Sequence, residues 1–207
     1  MALRYRNNLL RIGGLPVAGR PRDPELEQRL LATAWSLLTS NGYDALTLTQ
    51  VAAQSGAHRT DVYRRWRSKV RLVADVLDAY LPPVPDPDTG TVRGDLRAFA
   101  EDLAGAWNEP WNDGLVGFLA DLRGDSDAER TFRSLVARRS QPLVDAIARA
   151  VRRGEIAEVP ELPFVGNLLE GPVMHRRMFG GEPLTSHELD VVTESVHRLL
   201  TGTSVTP

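Results

Sequence analysis

Residues 47–69 read TLTQVAAQSGAHRTDVYRRWRSK, and the folding of this stretch decides the architecture. Thr47 with Gln50 is a capping-box pattern that opens a short helix through Gln54. Ser55-Gly56 breaks that helix, and Gly56 stands where a turn calls for positive φ, which costs glycine nothing. A further short helix is expected over about 59–65. Two short helices joined by a glycine-containing turn make a helix-turn-helix. Ala52 is small where the two helices approach, and Val51, Val62 and Trp66 are spaced to face inward. That spacing leaves His58, Arg59, Thr60, Asp61 and Tyr63 at the exposed start of the second helix, the end that reaches base edges in a major groove.

The charge of the chain is distributed accordingly. The 207 residues hold 25 Lys plus Arg against 27 Asp plus Glu, a net of −2. Residues 1–75 carry 12 bases against 6 acids, a net of +6, while the rest carries 13 against 21, a net of −8. A basic N-terminal third on an acidic body suits a polyanion-binding module joined to one that is not. Hydrophobic residues make up 42% and charged residues 25%, which is ordinary for a globular protein with a real core. No run approaches the roughly 18 apolar residues of a membrane span, and no secretory signal is evident. The absence of cysteine rules out disulfides and thiolate metal sites and fits a cytoplasmic setting.

Outward from the motif the periodicity is helical almost throughout, so the expected fold is all-α with about nine to ten helices. Asp23 with Pro24 opens a helix whose Leu26, Leu30, Ala34 and Leu38 recur every four residues, and Asn41-Gly42 is its natural stop. Ser68 caps a fourth helix that carries Val70, Val73, Val76 and Leu77. PPVPDPDTG at 82–90 breaks it. Further helices are expected over about 91–108, 111–124, 126–139, 141–153, 161–179 and 186–201. Ser126 with Glu129 and Thr185 with Glu188 are more capping-box patterns. The division is then a basic arm (1–22), a helix-turn-helix domain with its linking helix (23–80) and a larger helical domain (85–207).

These residues resemble the DNA-binding domain of the TetR family of transcriptional regulators. The shared pattern runs through Thr47, Val51-Ala52, Ser55-Gly56-Ala57-His58, Tyr63, Trp66 and Lys69, with Asn41-Gly42-Tyr43 where the family places its glycine-aromatic stop. The match covers about residues 24–80. The resemblance implies a homodimeric repressor, released from double-stranded operator DNA by a small-molecule effector, with no cofactor and no enzymatic activity. It implies DNA contacts from Thr47, His58, Arg59, Thr60, Asp61, Tyr63, Arg64 and Lys69. Tyr63 and Lys69 would meet phosphates, Thr47 the backbone, and His58, Arg59 and Thr60 the bases, with arginine paired to guanine. Two positions depart from the pattern: Thr60, where the family has a small residue or glycine, and Asp61, where it has a hydroxyl. Asp61 either holds Arg64 or Arg65 by an intrahelical pair or accepts from cytosine N4. The arm, with Arg4, Arg6, Arg11, Arg20 and Arg22, either enters a minor groove or is a tail without that role.

For the body the resemblance implies an effector pocket and a dimer bundle built from the last two helices. The pocket candidates are Trp107, Trp111, Phe118, Phe132, Met174 and Met178, with His175 as a polar contact, a composition suited to an apolar ligand. The interface candidates are Leu162, Val165, Leu169 and Val173 on one helix and Leu189, Val192, Val196 and Leu199 on the next. A half-site reader needs a twofold partner, which sets the recognition helices about 34–36 Å apart. Against an all-α enzyme, the four histidines show no metal spacing, and neither a phosphate loop nor a nucleophile motif occurs. An orphan DNA-binding regulator without a ligand stays open as the alternative.

Overall fold

The computed structural model describes residues 23–157, 161–180 and 182–202. The basic arm with its five arginines lies outside the described residues. Nine α-helices form among the described residues, and no strand does.

Helix α1 (Pro24–Ala45) starts where Asp23 accepts from the backbone N–H of Glu25 and Leu26 at 3.1 and 3.3 Å. It is interrupted at Gly42 (φ 76°), after which one more turn carries Tyr43 inward. The Thr47–Gln50 capping box is formed in both directions and opens α2 (Leu48–Ser55). Gly56 closes that helix at φ 67°, the left-handed conformation the turn requires. Helices α3 (Arg59–Arg65) and α4 (Lys69–Tyr80) follow, the latter capped by the Ser68 hydroxyl, which accepts from Arg71 N–H at 3.3 Å. Leu30, Ala34, Leu38, Val51, Ala52, Val62, Trp66 and Val73 are all buried, as their spacing predicts.

The second half corrects three expectations. The helix expected over 111–124 is a 3₁₀ turn (Pro110–Gly114) followed by α6 (Leu115–Leu122). A Cβ at Gly114 would lie 2.6 Å from the Tyr43 backbone nitrogen, so α6 begins in close approach to the end of α1. The two helices expected over 126–139 and 141–153 are one, α7 (Ser126–Arg152), which runs through Pro142. Proline removes one backbone hydrogen bond. Packing on both sides holds the helix together nonetheless: Leu135 is buried in one core cluster, and Leu143, Ala146, Ile147 and Ala150 in another. The N-cap of α7 is Asp125, not Ser126; its Oδ1 accepts from Asp127 and Ala128 N–H at 3.2 and 3.1 Å.

The remaining helices are α5 (Val92–Trp107), α8 (Leu162–Met178) and α9 (Ser186–Thr201), the last opened by the expected Thr185–Glu188 box. One core cluster gathers α1 to α4 with Leu115, Phe118 and Leu122 of α6 and the start of α7. The other joins α5, α8, α9 and the end of α7, and Trp107 packs against both. Between α4 and α5 the proline-rich segment is extended and tied down. Arg149 grips Asp86 through two hydrogen bonds of 2.8 and 3.0 Å, and Thr89 N–H donates to Asp95 at 2.7 Å.

Candidate nucleic-acid interface and the cavity behind it

Helix α3 is clamped from within. Val62 and Trp66 are buried, and the indole N–H of Trp66 donates to Asp75 Oδ2 of α4 at 2.8 Å. Burial pushes the Asp75 carboxyl above its ordinary value, against the lowering effect of that bond. Arg65, picked out by sequence only as a possible partner of Asp61, is the third clamp. Its side chain is 4% exposed and donates to the Asp61 carbonyl at 3.1 Å and the Asp23 carbonyl at 3.5 Å. A guanidinium with five donors in a fixed fork suits such bridging between helix ends.

The outer face keeps His58, Arg59, Thr60, Tyr63 and Arg64 exposed together. The Arg59 guanidinium lies 5.9 Å from the Tyr63 ring centroid. A hydrogen bond with the Thr49 hydroxyl, then one with Arg59, holds the Tyr63 phenol below its ordinary pKa. Thr49, in the first turn of α2, was missed by sequence reasoning. Asp61 pairs with Arg64 at 2.8 Å, the intrahelical arrangement weighed for it. Thr47 is exposed but spends its hydroxyl on the capping box. Lys69 departs from the open face. Its ammonium sits 3.9 Å over the Tyr43 ring and donates to the Tyr43 carbonyl at 3.2 Å.

Behind this face runs a seam of polar contacts to the second half. The buried Tyr43 hydroxyl donates to Asp121 Oδ2 of α6 at 2.6 Å, and burial, then that bond, pushes its pKa up. Ser68 donates to Asp125 at 2.7 Å. Arg71 pairs with Asp127, and Arg138 with Asp78.

A cavity of about 270 Å³ lies among α5, the 3₁₀ turn, α7 and α8. Of the pocket candidates, Trp107, Trp111, Phe132 and Met174 line it. Phe118, His175 and Met178 do not. Phe118 is core, its ring set edge-on to Tyr43 and Phe132 at centroid distances of 5.6 and 5.3 Å. His175 is exposed with its ring 5.0 Å from that of Phe179, and Met178 sits in the last turn of α8.

Two charged residues of the cavity escaped the sequence reading. Glu170 accepts from the Trp107 indole N–H at 3.1 Å, and burial pushes its carboxyl up. Arg139 donates to the Pro82 carbonyl, and burial lowers its pKa. The spacing of Gly166, Glu170 and Met174 by fours carried the signal, since it puts a carboxylate on the face of α8 that meets the cavity.

The expected interface stripe is largely spent inside the protomer. Val165, Leu169, Val173, Leu189 and Val196 are buried in the chain's own core, so they have no surface left for a second subunit. Leu162 and Val192 are half-buried against that core, and Leu199 is 50% exposed. The apolar surface on and beside these helices belongs instead to Phe164, Phe179, Val191 and Leu199, at 50–74% exposure.

Comparison with known proteins matches these two halves separately. A family model described as bacterial regulatory proteins, tetR family, matches residues 30–76, and one described as tetracyclin repressor-like, C-terminal domain, matches residues 86–196. A DNA-binding transcriptional repressor TetR of Mycobacteroides abscessus is 33% identical over 157 residues, 73% of this chain and 82% of the relative. An uncharacterised HTH-type regulator of Mycobacterium tuberculosis is 29% identical over 87% of this chain and 92% of its own length. The crystal structure of a TetR family transcription regulator, SCO0332, superposes with TM-score 0.66 at 27% identity, covering 88% of this chain and all of that one. The second model alone spans more than half of the residues, and the chain belongs to the TetR family of helix-turn-helix, DNA-binding transcriptional regulators.

Proposed function

We propose that this regulator is a homodimeric repressor that sits on an operator through its two α3 helices and leaves it when a small molecule fills the cavity. The reading divides the chain into the arm (1–22), a DNA-binding unit (23–80) and an effector and dimer unit (85–207), and it implies a cytoplasmic protein. His58, Arg59 and Thr60 read base edges, with Arg59 on guanine. Tyr63, Arg64 and Lys69 meet phosphates, and Thr47 approaches the backbone at the start of α2. Asp61, paired with Arg64, offsets part of its charge. The exposed Phe164, Phe179, Val191 and Leu199 supply apolar surface for the partner, together with Leu162 and Val192 at its edge.

The observation that carries the release step is the wall of the cavity. Leu81 and Val84, just after α4, line it, and Arg139 of the same lining donates to the Pro82 carbonyl between them. An occupant therefore presses on the segment that ends α4, the helix that holds α3 through Trp66 and Asp75. A ligand that fits only one setting of α4 shifts the population of that setting.

The test is a gel shift with the DNA flanking the protein's own gene, at low salt, followed by a release screen with candidate metabolites. A specific shift reversed by a compound is expected. No specific shift at low salt defeats the regulator's proposed role, and a shift that no compound reverses leaves an orphan regulator. Repeating the titration with and without residues 1–22 decides whether the arm adds affinity and salt slope.

A further inference from the structure

Within the effector reading, on which the following rests, the cavity discriminates by charge. Its lining is mainly apolar and aromatic, and one acid, Glu170, faces it from the middle of α8. Glu170 is mostly buried, and its hydrogen-bond partner is the neutral indole N–H of Trp107 at 3.1 Å. Arg139, the cation of the same cavity, forms no ion pair with Glu170 among the described residues and gives one N–H to the Pro82 carbonyl. The carboxyl is accordingly pushed up by burial, with Trp107 and the more distant Arg139 only partly offsetting it.

An acid in this position has an unmet electrostatic demand. A neutral donor stabilises a carboxylate less than a charged one does, and a buried carboxylate is costly unless it is paired. Trp107 and Trp111 in the same wall present indole rings, the side chains best suited to attract a cation. An anionic ligand would meet Glu170, which repels it, and an Arg139 that has already given one N–H to the Pro82 carbonyl. We propose that the cavity takes an apolar, ring-containing molecule with one protonated nitrogen, the ammonium seated against Glu170 and the body against Trp107, Trp111 and Phe132. Neutral and anionic isosteres bind less well.

The experiment uses three matched probes, 2-(2-naphthyl)ethylamine, 2-(2-naphthyl)ethanol and 3-(2-naphthyl)propanoic acid. Each is titrated calorimetrically into the full chain and into Glu170→Gln at neutral pH. The amine is expected to bind the natural protein at least about tenfold more tightly than the alcohol, with the acid weakest. In Glu170→Gln that advantage collapses, while the alcohol's Kd stays within about twofold. Should Glu170→Gln fail to fold, as read by circular dichroism, the ranking on the natural protein decides alone.

Equal binding of amine and alcohol, tightest binding of the acid, or no binding of any probe overturns the proposal. So does an amine preference that survives in a folded Glu170→Gln. A gel shift on the same ligand-free samples separates the two readings. Specific DNA binding with the wrong probe ranking refutes the amine assignment only, whereas absent DNA binding strikes the regulator's proposed role.

Discussion

Ser68 and Asp125 are each the N-cap of a helix, and they are bonded to each other. Ser68 accepts from Arg71 N–H to start α4, and Asp125 accepts from Asp127 and Ala128 N–H to start α7. The Ser68 hydroxyl meanwhile donates to Asp125 Oδ2 at 2.7 Å. One hydrogen bond thus locks the first turns of the helix behind the DNA-facing unit and of the longest helix of the body.

Ser68→Ala and Asp125→Ala are each expected to cost about 1 kcal/mol as cap deletions. The double variant should cost less than their sum, because the shared bond is lost once. Chemical denaturation of the four proteins measures this, and strict additivity would show that the bond contributes nothing. The Ser68 bond, followed by the backbone bond from Ala128, holds the Asp125 carboxyl below its ordinary value. A depressed folded pKa means that this stabilisation is present above the ordinary carboxylate range and fades as pH falls.

Arg59 and Tyr63 test the proposed division between base reading and phosphate anchoring. Arg59→Ala is expected to cost about 1–3 kcal/mol on the preferred operator and to relax selectivity at one position. Tyr63→Phe should weaken binding evenly across sequences. Titrations on an operator and its single-base variants distinguish the two, and an even loss for Arg59→Ala would remove it from the base-reading set.

Asp61 holds Arg64 across one turn of α3, on a surface where such a pair contributes only about 0.2–0.5 kcal/mol. Asp61→Ala should therefore leave thermal stability nearly unchanged. It should strengthen binding to every DNA sequence alike, by freeing Arg64 and removing a negative charge from the proposed DNA face. A change confined to one base position would assign Asp61 to a cytosine instead.

Lys69 rests on the Tyr43 ring with one of its three ammonium protons given to a carbonyl. On DNA its remaining donors can meet a phosphate. Lys69→Gln should then lower the slope of log K against log salt by about one, without altering sequence preference. An unchanged slope with lowered thermal stability would limit Lys69 to the contact with Tyr43.

Glu188 closes the cap of α9 and pairs with Arg176 at 2.6 Å. The Thr185 backbone N–H first, then Arg176, lower its pKa from 4.5 to about 2. Its stabilisation is complete above the unfolded value and lost as pH falls from 4.5 toward 2. Glu188→Gln should accordingly lose less stability than the natural protein between pH 6 and pH 3, as urea unfolding would read. Parallel acid profiles would contradict this.

The caps and the helix-turn-helix were legible because they depend on residues a few positions apart. Thr47 with Gln50, Thr185 with Glu188, Asp23 before Pro24 and Gly56 in its turn need no tertiary information. The continuity of α7 was not legible. Pro142 is a local breaker, and it is overridden by burial of Leu135 on one side and Leu143 and Ile147 on the other. The N-cap of α7 misled for a similar reason, since Asp125 and Ser126 are both good caps and the choice goes with Ser68, 57 residues away. Phe118 and Met174 look alike as apolar residues, yet one fills a core and the other faces a cavity. An apolar stripe likewise does not say which helix it meets, so Val165 and Leu169 were read outward and fold inward.

The tethered segment between α4 and α5 has a mechanical consequence. Its prolines at 82, 83, 85 and 87 look like a swivel, but Arg139 takes the carbonyl of Pro82, Arg149 takes that of Pro87 with Asp86, and Asp95 takes Thr89. Both arginines belong to α7. The segment therefore has no slack and behaves as a guy-line rather than a pivot. A displacement of α4 is then delivered to α7 through this line as well as through the Arg71–Asp127 and Arg138–Asp78 pairs, and lengthening the line by a few glycines should remove the first route alone.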